Sequence, residues 1–128
     1  VLSPTHDLAA QKFIDPDDLI NETLIAYPVE AKRLDIIANF MTPAQVSFKS
    51  VRTTELTAML IQLVASERGV AALPDWVVAE YEKKGWVVSR PLGDGVHCQL
   101  YAATRISSQD ISYMQGFASL LEAIVKPV

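Results

Sequence analysis

The chain has 128 residues, half of them apolar and a fifth charged, with a formal net charge of −4 and a single cysteine, Cys98. A chain this long buries roughly two-thirds of the surface its unfolded form exposes, so one soluble domain with a real core is expected without cofactor or metal, and one cysteine excludes an intrachain disulfide framework. The eleven Lys and Arg are dispersed, pairing only at Lys32-Arg33 and Lys83-Lys84, which argues against a phosphate-tracking stripe; VLSPTHDLAA lacks a signal peptide's charged and apolar regions, and no apolar run nears the ~18 residues of a spanning helix, so a cytoplasmic chain without a membrane partner is expected.

TLIAY at 23–27 is a short apolar run that stops at Pro28 and predicts a strand. VEAKRLDIIANFM then spaces Leu34, Ile37, Ala38 and Met41 as a helix does, until Thr42-Pro43 ends it. SFKSVR at 47–52 predicts a second strand. Leu56, Met59, Leu60, Leu63 and Val64 follow at i, i+3, i+4, i+7 and i+8, the face of an amphipathic helix. Thr53 or Thr54 suits its N-cap, Glu55 and Arg68 suit the two ends of its dipole, and Gly69 suits a left-handed C-cap. VAAL at 70–73, bounded by Gly69 and Pro74, predicts a buried parallel strand, and 75–83 a short helix with Asp75 at its start, Lys83 and Lys84 in its last turn and Gly85 at its exit. WVVSR at 86–90 and VHCQLYAAT at 96–104 predict strands separated by the turn-rich PLGDG. The last helix is predicted over 107–125, capped by Ser107 or Ser108, with Ile111, Met114, Phe117, Leu120, Leu121 and Ile124 as its apolar positions.

This alternation predicts an α/β fold, a mostly parallel sheet flanked by helices. Ligands of such sheets bind beyond the carboxyl ends of the strands, where helix N-termini also point. The loops Tyr27-Pro28-Val29, Arg52-Thr53-Thr54-Glu55 and Leu73-Pro74-Asp75 converge on one crevice if their strands are neighbours. Enzyme chemistry finds little to work with. His97 and Cys98 are consecutive on a predicted strand, so they face opposite ways and form no nucleophile–base pair. The other histidine, His6, gives no zinc pattern with them, and no phosphate-loop, dinucleotide or nucleophile-elbow motif occurs. Asp15, Asp17 and Asp18 read as a solvated turn and helix start. No catalytic residue, metal site or enzymatic activity is expected.

Several segments resemble the effector-binding domain of LysR-type transcriptional regulators: SPTHDLA at the start (with Asp7 where the family usually has proline), DPDDLINETLIAY, SVRTTELTAMLIQLVASERGVAALPDW and LYAATR. YPVEAKRLDI, SVRTTELT and VAALPDW are particularly similar to the branch of that family governing methionine biosynthesis. The resemblance covers nearly the whole chain. It implies a periplasmic-binding-protein-like (type II) fold, with 1–7 as a hinge strand, 8–95 as the second lobe, 96–106 as the return hinge strand and 107–128 as a C-terminal helix belonging to the first lobe. It also implies a small-molecule effector, homocysteine in the methionine branch, held between lobes, whose binding shifts the lobe arrangement and so controls DNA binding or transcription activation. DNA contact would come only through an N-terminal domain outside these residues. A homodimer, tetrameric at full length, is expected. The rival readings are a lobe of a periplasmic-type solute-binding protein and an enzyme on the same two-lobe fold.

The resemblance turns the loop 52–55 toward the interlobe cleft. Thr53 and Thr54 then donate to a ligand carboxylate, or one of them merely caps the helix. Glu55 can hold an ammonium, or be an ordinary acidic residue of a first turn. Arg52 can pair with a carboxylate bidentately, or be a surface arginine at a strand end. Tyr27 either lines the cleft or packs. Leu73, Pro74 and Trp76 form an apolar wall for a thioether or thiol side chain, or Trp76 instead packs in the core. Ser3, Thr5 and His6 lie at the hinge, where His6 either senses charge near neutral pH or is exposed or bonded to backbone. Cys98 reads as buried and structural.

Overall fold

In the computed structural model, which describes residues 1–97, 101–108 and 110–124, strand β1 (Thr23–Ala26) pairs in parallel with β2 (Ser50–Thr53), Thr23 opposite Ser50 through Ala26 opposite Thr53. The second strand thus lies slightly later than the predicted 47–52. On the other side of β1 the segment at Val70 adds a parallel bridge, with Ile25 N–H donating to Val70 O at 2.8 Å and Val70 N–H to Thr23 O at 2.9 Å. Val1 and Ala71 exchange both of their backbone bonds, and Leu2 and Val88 do the same. The hydrogen-bonded layer therefore runs β2, β1, 70–71, 1–2, 88. VAAL and WVVSR contribute single bridges rather than the full strands predicted, because each touches its neighbours over only a residue or two.

β1 is central, which explains its unbroken apolar run. Successive side chains point to opposite faces: Leu24 and Ala26 join Leu2, Ile14, Leu19, Ile36, Met41 and Val70 in one core, while Ile25 joins Leu60, Ile61, Val64, Ala71, Val78 and Val87 in the other. Helices α1 (Thr57–Ala65) and α2 (Asp75–Lys83) cover the second face. The segment predicted as one helix over 29–41 covers the first as a 3-10 turn, Ala31–Arg33, and a π-helix, Ile36–Met41. Its buried residues are Ile36 and Met41, five apart, a spacing that suits the i→i+5 repeat of a π-helix and not the predicted α-helical face.

Three details of α1 correct the sequence reading. Its N-cap is Leu56, with no side-chain cap bond; Thr53 ends β2 and Thr54 spends its N–H on Ala26 O. The buried stripe is Leu60, Ile61 and Val64, so Leu56 and Met59, predicted as core, are exposed. At the other end the left-handed residue is Glu67 (φ 57°), not Gly69: Glu67 N–H bonds Val64 O and Arg68 N–H bonds Leu63 O, the paired bonds of a Schellman ending. Gly69, at φ 149°, serves a different need, since a Cβ there would overlap the Thr23 carbonyl oxygen.

The chain divides into two compact units, Val1–His97 and Cys98–Val128. In the second, helix α3 (Ser112–Ile124) begins later than predicted, with Ser107 and Ser108 in a separate 3-10 turn, Ile106–Ser108. Of its predicted apolar positions, Met114 and Leu121 are half-buried, and Ile111, Phe117, Leu120 and Ile124 are exposed. The strand predicted over 96–104 is not formed at 101–104, which adopt neither strand nor helix. Residues 98–100, Cys98 among them, 109 and 125–128 lie outside the described residues. Among those described, no helix is long and apolar enough to cross a membrane.

Candidate functional site

Because β1, β2 and the Val70 segment are parallel neighbours, the loops that follow them emerge at one edge of the sheet. The first two abut, through the bond from Thr54 N–H to Ala26 O at 3.0 Å. Tyr27, half-buried, meets the Thr57 hydroxyl at 2.6 Å, fixing the first turn of α1 to the end of β1. Thr53 and Glu55 are exposed, Thr54 is half-buried, and Arg52 is exposed on β2. No ion pair among the described residues engages Arg52 or Glu55. No side chain caps α1, so its first-turn N–H groups and positive dipole end lie beside these hydroxyls. This edge thus carries the hydroxyls of Thr53 and Thr54, the Glu55 carboxylate and the uncapped α1 amides, with Arg52 one residue back on β2 and on the opposite face from Thr53.

Pro74 follows the third strand segment and is the N-cap of α2, with the Asp75 carboxylate accepting from Trp76 N–H at 2.7 Å. Trp76 is 68% exposed, which decides against core packing, and Leu73 is half-buried.

Thr5 and His6 lie elsewhere. Val1 and Ala71 are an antiparallel hydrogen-bonded pair, so the chain leaves 1–3 toward the amino ends of the parallel strands, away from Tyr27, Thr53, Thr54 and Pro74. The Thr5 hydroxyl donates to the Glu67 carboxylate and meets the Ser3 hydroxyl at 2.9 Å. His6 is bonded to backbone: its Nδ1 accepts from Leu8 N–H at 3.2 Å, which leaves the proton of neutral imidazole on Nε2, 3.4 Å from a Glu22 carboxylate oxygen. Glu22, Thr57 and Glu67 were not singled out from sequence. Each acts through a partner at least 16 positions away, which no local pattern announces.

Residues 1–125 match the LysR substrate binding domain. The chain belongs to that family. Within it, this LysR domain is 49% identical over 117 residues to the HTH-type transcriptional regulator MetR of Escherichia coli K12, and 38% identical over 118 residues to MetR of Haemophilus influenzae. These alignments cover 91% of the chain but only 37% and 38% of those relatives, so it spans well under half their length. Among solved structures, the regulatory domain of MetR, a LysR family regulator from N. meningitidis, superposes with a TM-score of 0.82 at 42% identity, covering 95% of this chain and 56% of that one. The α/β, periplasmic-binding-protein-like fold expected of such a lobe is the fold of this domain, mixed in its sheet and flanked by helices.

Proposed function

We propose that this LysR domain is the effector-binding part of a cytoplasmic transcriptional regulator of methionine and sulfur amino-acid metabolism. It is not an enzyme and needs no cofactor. The observation that carries this reading is the edge where the loops after β1 and β2 abut at the uncapped start of α1, through Tyr27–Thr57 and Thr54–Ala26, on a domain so similar to the MetR regulatory domain. Pro74 borders that edge, and Thr5 and His6 hold the incoming segment at the far one. The ligand is a small amino acid, homocysteine in this reading. Its carboxylate is taken by the Thr53 and Thr54 hydroxyls, the α1 amides and Arg52, and its ammonium by Glu55. Binding favours one lobe arrangement, and that preference passes to a DNA-binding domain through a homo-oligomer, a dimer of this part and a tetramer at full length. The relatives named above are regulators, which favours this reading over a solute-binding lobe or an enzyme.

Calorimetry of the gene's full-length product with homocysteine tests it. Replacing Thr53 and Thr54 together with alanine weakens binding at least tenfold. Neither threonine caps α1 and neither is buried, so stability falls by about 1 kcal/mol or less for the two together. Unchanged affinity in the double variant moves the site away from this edge.

A further inference from the structure

Glu67 carries a feature that the effector site does not use. It adopts φ 57° in the left-handed position of a Schellman ending, where glycine fits without steric cost, and it is not glycine. Its side chain leaves α1 to accept the Thr5 hydroxyl. Thr5 is itself tied to Ser3, a buried polar residue whose Oγ also accepts Thr5 N–H at 3.4 Å. Beside it, His6 reaches Glu22, just ahead of β1. The turn 3–6 is thereby held by carboxylates from two of the three chain segments that lead into the parallel strands, those ahead of β1 and of Val70. At the other end of α1 the Tyr27–Thr57 bond is the matching tie. Between the two, Leu60, Ile61 and Val64 are at most 1% exposed, so the helix, nine residues and about 13 Å long, is packed along its whole length.

We propose that α1 is a strut, tied by Tyr27–Thr57 at the ligand edge and by Glu67–Thr5 at the opposite edge, that carries displacement of the ligand loops to the turn 3–6. The proposal rests on the effector reading for what moves the strut, while the ties are testable without any ligand. Glu67 and Thr5 are positioning residues, and the left-handed strain at Glu67 is retained because glycine offers no carboxylate.

The experiment is native-state amide exchange of the 128-residue chain, read at Thr5 and His6. Thr5→Val and Glu67→Gly each quicken exchange there about tenfold, whereas Glu67→Gln, which keeps an acceptor, stays near wild type. Glu67→Gly does this without lowering the thermal midpoint, since glycine relieves the backbone; a contact that merely stabilises would lower both. Tyr27→Phe quickens exchange at the same two amides about threefold in the wild-type background and leaves it unchanged in Thr5→Val, the signature of coupling through one element. Unaltered exchange in Thr5→Val and Glu67→Gly overturns the lower tie, and no response of Thr5 and His6 to Tyr27→Phe overturns the strut. Because no ligand is present, either failure leaves the effector reading standing, and a failure of homocysteine to bind leaves the strut standing.

Discussion

Gly69 shows how one position can be demanded by its neighbours rather than by its own element. Its φ of 149° disfavours any side chain, and a Cβ would overlap the Thr23 carbonyl oxygen, which also accepts Val70 N–H. Gly69→Ala therefore strains the backbone and opens the bridge that joins the Val70 segment to β1. The expected loss is about 2 kcal/mol or more in urea denaturation; an unchanged midpoint would mean that the crossover shifts freely. Sequence predicted a glycine with positive φ here but assigned it to the helix end, because a Schellman ending filled by Glu67 leaves no compositional trace. The candidate site divides in the same way. Tyr27, Thr53, Thr54 and Pro74 were legible as neighbours, since strand followed by loop and helix places loops at the carboxyl edge whenever strands are parallel. The opposite placement of Thr5 and His6 depends on the antiparallel pairing of Val1 with Ala71, and nothing within VLSPTH encodes a direction relative to a strand 70 residues away.

Among the elements, β1, α1 and α2 were legible because apolar periodicity and punctuation by Pro and Gly agree there. The segment 29–41 was not, since a π-turn differs from an α-turn only in which carbonyl each amide chooses, as Thr42 N–H choosing Ile37 O shows. The start of α1 is suboptimal: Leu56 is its N-cap, offers no acceptor and is 67% exposed. Leu56→Asp supplies the missing acceptor and complements the dipole, so a gain of about 1 kcal/mol is expected in thermal or chemical denaturation. The strand pairing of 1–3 gives a second prediction. When the 128-residue chain is made by itself, burial lowers the ammonium at Val1 from its ordinary 8.0 to about 6, against a smaller opposing pull from Glu82. The folded chain therefore binds fewer protons there than the unfolded chain between those values, so this contribution to stability is full above pH 8 and is lost as pH falls through about 6. Denaturation at the two pH values should differ by about 2 kcal/mol in favour of the higher. A chain extended by one residue ahead of Val1, whose amine is then an amide, should lose that difference.

On the scale of the molecule, the second unit presents more apolar surface than a small unit usually leaves open. Tyr113, Phe117, Leu120 and Ile124 are all more than half exposed and recur at i, i+4, i+7 and i+11, the spacing of a helix–helix seam. Beside them Met114, Ala118 and Leu121 form a half-buried stripe at the same spacing. In the 128-residue chain by itself, a second copy of α3 would cover such a seam. Roughly 1 kcal/mol is recovered per half-exposed large side chain covered, so pairing two helices offsets an association cost of about 4–15 kcal/mol only in part of that range. The expected species is accordingly a concentration-dependent dimer rather than a permanent one. Light scattering over a dilution series should show the mass of the intact chain falling from two copies toward one. A chain ending at Arg105 should stay monomeric throughout, and Leu120→Asp, which puts a charge in the seam while leaving the helix intact, should match it. An intact chain that is monomeric at the highest concentration, or a Leu120→Asp chain that still dimerises, would remove α3 from the interface and with it the argument that the exposed seam exists to be paired.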